Sequence, residues 1–398
     1  MNRSSTKDKF RMRTLRHRLA ITCLGLVLAV ATLAQPSDCT PDYAQQVSTP
    51  WKRQAAVATK LNTSFPKQSL PAINARQEKL LDLFQHAYPN PRGLEARAYR
   101  NFYSSPDNYR PEPTGSPLHY SVVTYYKHFW CFKGKVELSG ETGTWLECYV
   151  NMLWRFMDSI GSEFTLPNGQ EIYFMPDKTG ELKGYPIYST QRNDRTNPRE
   201  SIIITADGRL PVRPVSQEEF VRSLQRTLQQ WIKENDETTV QLEASLKEST
   251  AYADKIPFKT EAERQKYKDD NRRSVEDGRK IRDKTAQKNR IRYQELEAIL
   301  AAMTPAQRSS QAIIEHATGM LLNERGQGTF DEQAKNGRPL VTHDFKYPDP
   351  KLPRHAIQFV QLWLRYEDAP DMVAKRELMR QFRQNIDLDG FRALVEKK

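Results

Sequence analysis

The sequence predicts an α+β protein in which an antiparallel, aromatic-rich sheet is joined to a long charged helical hairpin, with C-terminal strands returning to the sheet. Three observations support this fold class. Short runs of aromatic and β-branched residues, broken by Gly, Asn and Pro, fill residues 115–215. A helical period with N-terminal capping signals replaces them over residues 216–303. Strand-like runs reappear within residues 304–398, which we expect to form an α/β segment packed on the sheet.

Residues 1–34 are predicted to be a signal peptide. Seven Lys or Arg and one Asp lie among the first eighteen residues, a local charge of seven minus one, or +6. An apolar run of sixteen residues, Leu19 to Ala34, follows and ends in small residues, as signal peptides do. Cleavage after Ala31 or after Ala34 fits these small residues. An uncleaved anchor is less favoured, because a bilayer span needs about 20 apolar residues.

The mature chain is therefore expected to be secreted or periplasmic, and no later segment is apolar enough to predict a transmembrane helix. The whole chain has a net charge of +12, so removal of the leader leaves +12 minus 6, or +6. This remaining charge is modest for a chain of this length.

Residues 35–114 are rich in Pro, Ser and Asn and contain one predicted amphipathic helix. Leu80, Leu81, Phe84 and Tyr88 recur at three- to four-residue spacing and form one apolar stripe. The Pro-rich stretches around it predict turns and extended chain, because proline fixes its own φ and disfavours helix at the preceding residue. We expect the helix to dock through its stripe.

Residues 115–215 are predicted to form an antiparallel β region. The candidate strands are HYSVVTYYKHFWCF, TWLECYVNMLWRFM, QEIYFM, YPIYST and SIIIT. In the second of these, alternate residues share one face, which is predicted to be buried. They are Leu146, Cys148, Val150, Met152, Trp154 and Phe156.

The helical hairpin begins with capping-box spacing at Ser216 and Glu219, and the same spacing recurs at Thr260 and Glu263 after Pro257. The second helix has few apolar residues in its middle, so we expect the middle to project into solvent and to be open to protease. Twelve Lys or Arg from Arg264 to Arg292 are interleaved with nine acids through Glu297. Mixed charge is typical of a solvated helix, whereas nucleic-acid binders concentrate basic charge. Nucleic acid is therefore not the expected partner, and polyanion binding by this helix stays an alternative.

Three cysteines lie outside the leader: Cys39, Cys131 and Cys148. No CxxC pair or nearby histidine indicates a metal site. If Ser139 and Gly140 form a two-residue turn, Cys131 faces Cys148 with Cα atoms about 4.5 Å apart, which permits a disulfide. Two alternatives are that Cys39 takes one of the partners, or that a longer turn around Gly143 shifts the register.

The candidate catalytic residues are few, and the sequence identifies no catalytic set and no cofactor motif. His119 and His128 lie on one predicted strand at an odd separation, so they point to opposite faces. His343, beside Asp344, and His355 lie near Pro-rich chain, where polar surface residues are expected. Acid–base chemistry needs a positioned partner, which the sequence does not indicate for any of them.

An aromatic cluster in the β region has two interpretations. Ordinary sheet packing is favoured, because aromatic residues are enriched in strands and Tyr125 and Trp154 are predicted to face the core. The alternative is a platform on which flat rings stack against sugars. The cluster consists of Tyr120, Tyr125, Tyr126, Phe129, Trp130, Trp145, Tyr149 and Trp154.

Three stretches resemble a loose group of uncharacterised bacterial secreted and envelope proteins. They are GRLPVRPVSQEEFVRSL, ILAAMTPAQRSSQA and YPDPKLPRHAIQFVQLW. The group has no known activity, so the resemblance implies only an exported envelope protein. We expect a non-catalytic binding or scaffolding protein whose partner is an envelope protein or a glycan. A periplasmic hydrolase is the alternative from another class.

Overall fold

A computed structural model describes residues 39–55, 66–103, 115–153, 155–189, 198–322, 330 and 336–396. Two sheets and eight helices lie in these ranges. The large sheet contains β1 (Lys52–Arg53), β2 (Leu94–Tyr103), β3 (His119–Phe132), β4 (Lys135–Leu138), β5 (Trp145–Val150), β8 (Asp177–Leu182), β9 (Tyr185–Ser189), β10 (Arg199–Thr205) and β14 (Phe359–Arg365). The small sheet contains β6 (Asp158–Ser159), β7 (Tyr173–Phe174), β11 (Val212–Pro214), β12 (Ile313–Ile314) and β13 (Arg338–His343).

The helices are α1 (Pro41–Gln46), α2 (Leu70–Ala87), α3 (Gln217–Ala253), α4 (Glu261–Ala302), α5 (Pro305–Ser309), α6 (Ala317–Leu322), α7 (Val373–Asn385) and α8 (Leu388–Leu394). The fold is α+β, as predicted, and its sheets are antiparallel except where β1 joins β2. The strand order of the large sheet is β1-β2-β3-β5-β14-β10-β9-β8, and β4 pairs with β3. The C-terminal strand β14 returns to the middle of this sheet, between β5 and β10.

Helices α2, α7 and α8 cover one face of the large sheet. The apolar stripe of α2, which includes Leu80, Leu81 and Phe84, is fully buried there. Phe84 contacts Phe382 of α7 and Phe391 of α8, with ring centroids 5.9 and 5.6 Å away. The stripe that predicted an amphipathic helix is therefore the contact that attaches these helices to the sheet.

Within the described residues, the other face of the large sheet is covered only in part. Ile203 of β10 and Phe359 of β14 pack there against Tyr173 and Val341 of the small sheet. The far side of the small sheet packs on the first turns of α3 and the last turns of α4, in a separate apolar cluster. The β2, β3 and β5 portion of this face lies beyond these contacts and forms the surface described below.

Helices α3 and α4 form the predicted hairpin. Ser216 and Glu219 make a full capping box, and Thr260 accepts a hydrogen bond from the Glu263 amide. Ion pairs join the two helices along their length, including Lys268 to Asp254 at 2.5 Å. The middle of α4 is solvent-exposed, as expected, but it stays helical and packed along α3. None of the described helices combines the length and the apolar character needed to cross a membrane.

The predicted register of the hairpin after β3 is wrong. The turn lies at Lys133 and Gly134, whose φ angles of 49° and 74° give the double left-handed conformation of a tight hairpin turn. Lysine is not a typical residue for this position, which is why Ser139-Gly140 was the more evident candidate. Strand β4 is consequently short, and Trp145, not Trp154, lies opposite Tyr125.

The predicted Cys131–Cys148 disulfide is also wrong. Cys131 is bonded to Cys39, with Cα atoms 5.6 Å apart, which was the alternative pairing. Cys148 lies opposite Val122 on β3 and is a free thiol, completely buried among the helix-facing residues of the sheet. The true turn moves Cys148 away from Cys131, and this excludes a bridge between them.

Two further differences concern the predicted segments. Strand β2 lies between the two Pro-rich stretches, where the sequence predicts no strand. The second candidate strand ends at Val150, because Asn151 adopts a φ of 58°. The predicted signal peptide and Trp154 lie outside the described residues.

Candidate functional site

The candidate site lies on the face of the large sheet that points away from α2, α7 and α8, which we call the polar face. Successive residues of a strand point to opposite faces. Leu146 and Cys148 of β5 therefore enter the helix-covered core, while Trp145, Glu147 and Tyr149 belong to the polar face. The same alternation places polar and aromatic residues of β2, β3, β14 and β10 beside them.

Five half-buried side chains form a row across the polar face, one from each of five adjacent strands. In order they are Arg97 on β2, Tyr125 on β3, Trp145 on β5, Arg365 on β14 and Arg199 on β10. Four inter-strand spacings of about 4.8 Å make the row about 19 Å long. We call it the arginine–aromatic row.

Aromatic contacts connect the row to its neighbours. The ring centroid of Tyr125 lies 5.6 Å from that of Tyr99 and 5.9 Å from that of Trp145. The ring centroids of Trp145 and Trp363 are 5.5 Å apart. These spacings are those of favourable offset and edge-on aromatic pairs. The rings therefore support one another across β2, β3, β5 and β14.

Two guanidinium groups lie over the indole rings. The guanidinium carbon of Arg365 is 4.3 Å from the ring centroid of Trp145, and that of Arg155 is 5.4 Å from Trp363. Both distances suit cation–π attraction. Arg155 adopts a φ of 53°, a backbone conformation that is uncommon for a residue with a side chain and that is found preferentially at functional sites.

A buried carboxylate, Glu147, holds the tyrosines of this face. Its Oε2 accepts a hydrogen bond from the Tyr149 hydroxyl at 2.7 Å, and its Oε1 accepts from Ser121 Oγ at 2.8 Å and from the Tyr103 hydroxyl at 3.3 Å. Asn101 donates in turn to Ser121 Oγ at 3.3 Å. Both carboxylate oxygens are thus engaged by neighbouring side chains.

Burial raises the pKa of Glu147, and the hydrogen bonds from Tyr149, Ser121 and Tyr103 offset part of that increase. Burial, with the nearby Glu147 charge, raises the pKa of Tyr103 to about 12. The tyrosine hydroxyls are therefore protonated at neutral pH and serve as hydrogen-bond donors. This arrangement fixes ring positions, and it leaves Glu147 poorly placed to transfer a proton to a ligand.

A cleft of about 550 Å³ lies at one end of the arginine–aromatic row, between the large sheet and β6. It is lined by Arg155, Met157, Asp158, Ser159, Arg199 and Trp363. Asp158 accepts a hydrogen bond from Arg338 at 2.8 Å, so its charge is already paired. The lining therefore combines an aromatic wall with two arginines.

A second cleft, of about 380 Å³, lies at the other end of the row. Its walls come from β2, β3 and the loop after β4: Arg97, Tyr99, Tyr125, Lys127, Gly140, Glu141 and Thr142. Arg97 is paired with Glu95, whose carboxylate also binds Lys52 at 2.5 Å. The positive charge at this end is therefore partly neutralised.

The four candidate histidines lie on or beside β3, β13 and the chain that leads to β14. The β2–β3 register places His119 opposite Tyr103 and His128 opposite Leu94, on opposite faces as predicted. Burial, followed by the charge of Arg354, lowers the pKa of His119 to about 4. His343 lies at the end of β13, in contact with Tyr173, and burial lowers the pKa of the half-buried His128 and that of His355. Within the described ranges, no group of three His, Cys, Asp or Glu side chains could hold a metal ion.

The aromatic cluster is divided between the two faces. Tyr120 and Tyr126 are buried on the helix side, but Tyr125 and Trp145 belong to the polar face, so the prediction that Tyr125 faces the core is wrong. The arginines of the row were missed by the sequence analysis. Arg97, Arg199 and Arg365 lie far apart along the chain, and only the pairing of their strands brings them together.

Comparison with known proteins gives no identification. No family model matches the chain, and no curated protein or solved structure is significantly similar to it.

Proposed function

We propose that this chain is an exported, non-catalytic binding protein that holds an extended glycan along the arginine–aromatic row. The observation that carries the proposal is the row itself, because it joins two clefts by a line of partly exposed rings. The C–H faces of sugars are apolar and stack on aromatic rings, while arginine and tyrosine donors suit sugar hydroxyls. A row about 19 Å long favours a chain of several sugars over a single small molecule.

Binding is favoured over hydrolysis by the state of the carboxylates. Glycoside hydrolysis typically needs a pair of carboxylates on either side of the scissile bond. On this face Glu147 is 6% exposed and receives three hydrogen bonds, and Asp158 is paired with Arg338. Neither is free to act as an acid or a nucleophile in this arrangement.

Export is supported by two features. The first 34 residues have the charge and apolar order of a signal peptide, and the Cys39–Cys131 disulfide suits an oxidising compartment. N-terminal sequencing of the protein recovered from cells should find a start just after Ala31 or Ala34. Recovery of the intact leader on all of the protein would contradict export.

Glycan binding is tested by titrating soluble envelope oligosaccharides, neutral and acidic, into the purified mature chain while tryptophan fluorescence is recorded. Tyr125→Ala should weaken binding about tenfold, since it removes one of the rings of the row on which the sugar would stack. Tyr252→Ala is the matched control, because Tyr252 is exposed on α3, away from the row. Absence of binding by every oligosaccharide, or equal binding by the two variants, would refute the proposal.

A further inference from the structure

Charge is distributed unevenly around the cleft between the large sheet and β6. Among the residues that the structure describes, no carboxylate pairs with the guanidinium of Arg199, and its buried Nε has no hydrogen-bond partner. The neighbouring carboxylates are engaged elsewhere, Asp158 by Arg338 and Glu200 by Arg383. Arg199 lines the cleft, so an anion bound there would balance its charge.

A second cation, the guanidinium of Arg155, lies at the same cleft. Arg155 is exposed and also lines the cleft, and its guanidinium is placed over the Trp363 ring by a left-handed backbone conformation. Arg365, the register partner of Arg199 on β14, adds a third positive charge at this end of the row. Planar guanidinium groups bind carboxylate, sulfate and phosphate through paired hydrogen bonds.

We propose that this cleft is an anion subsite in which Arg155 and Arg199 bind the acidic substituent of a sugar. The proposal rests on the proposed function, and it adds that the preferred glycan is acidic and lies with an acidic unit at the β10 end. At the opposite end of the row Arg97 is paired with Glu95, and the lining of the second cleft includes the Glu141 carboxylate as well as Lys127, so that end suits a neutral unit.

The test compares a uronic-acid oligosaccharide with its carboxyl-reduced analogue, which has the same linkage but no charge. The wild-type chain should bind the acidic ligand at least about tenfold more tightly, as expected for a charged hydrogen bond. Arg199→Gln should abolish this preference, so that the acidic and the neutral ligand bind with similar affinity. Arg222→Gln is the matched control, because it removes the same charge from the exposed surface of α3.

Inorganic sulfate provides a readout that does not depend on glycan binding. Sulfate should change the tryptophan fluorescence of the wild-type chain and of Arg222→Gln in a saturable manner, but not that of Arg199→Gln. If no oligosaccharide binds but sulfate does, glycan binding is wrong and the anion subsite stands. If both oligosaccharides bind equally and Arg199→Gln changes nothing, or if sulfate does not bind, the subsite is wrong.

Discussion

The disulfide between Cys39 and Cys131 should contribute a large part of the stability of the large sheet. It connects the start of the described chain to the end of β3 across a separation of 92 residues, and the enclosed segment includes α2 and β2. Closing a loop of this length in the unfolded chain corresponds to about 4.6 kcal/mol in the chain-entropy model. Measured effects are commonly 2 to 4 kcal/mol, since the unfolded state keeps some structure.

We therefore expect the Cys39→Ser/Cys131→Ser variant to lose about 3 kcal/mol of unfolding free energy. Urea unfolding is followed by tryptophan fluorescence, because Trp145 and Trp363 report on the large sheet. Each single variant should lose about as much as the double variant, and the reduced wild-type chain should behave likewise. A loss below about 1 kcal/mol would refute the reasoning from loop length. A peptide map with Cys131 joined to Cys148 would refute the pairing itself.

Three other outcomes are expected. Cys148 should resist alkylation in the native protein and react upon unfolding, because it is completely buried and burial raises its pKa; rapid native labelling, detected by mass spectrometry, would contradict this. Brief trypsin treatment should first cut the exposed connection at Lys255 or Lys259, before residues 266–290, since helix α4 is packed along α3; earlier cuts within α4 would disprove it. Burial raises the folded-state pKa of Glu147 above its unfolded value. The unfolding free energy of the wild-type chain should therefore fall as pH rises between those two pKa values. Glu147→Gln should lack this loss in urea titrations from pH 4 to 8.

Local patterns in the sequence determined the helices and the α+β class. The capping box at Ser216 and the apolar stripe at Leu80 to Phe84 involve residues within one or two turns of each other, so their geometry follows directly from spacing. The strand runs of β13 and β14 were likewise evident from composition. The local sequence also indicated that His119 and His128 point to opposite faces, because alternation along one strand requires no partner.

Tertiary structure alone decided the register, the disulfide and the candidate site. The turn at Lys133-Gly134 shifts β5 relative to β3, and this shift sends Tyr125 to the polar face and separates Cys148 from Cys131. The arginine–aromatic row exists because β14 inserts between β5 and β10, a pairing of segments that are far apart in sequence. Strand order and register depend on such non-local contacts, and a one-residue shift exchanges the two faces of a strand. For this reason the sequence indicated which residue types were available for a site, whereas the folded sheet determined which of them meet.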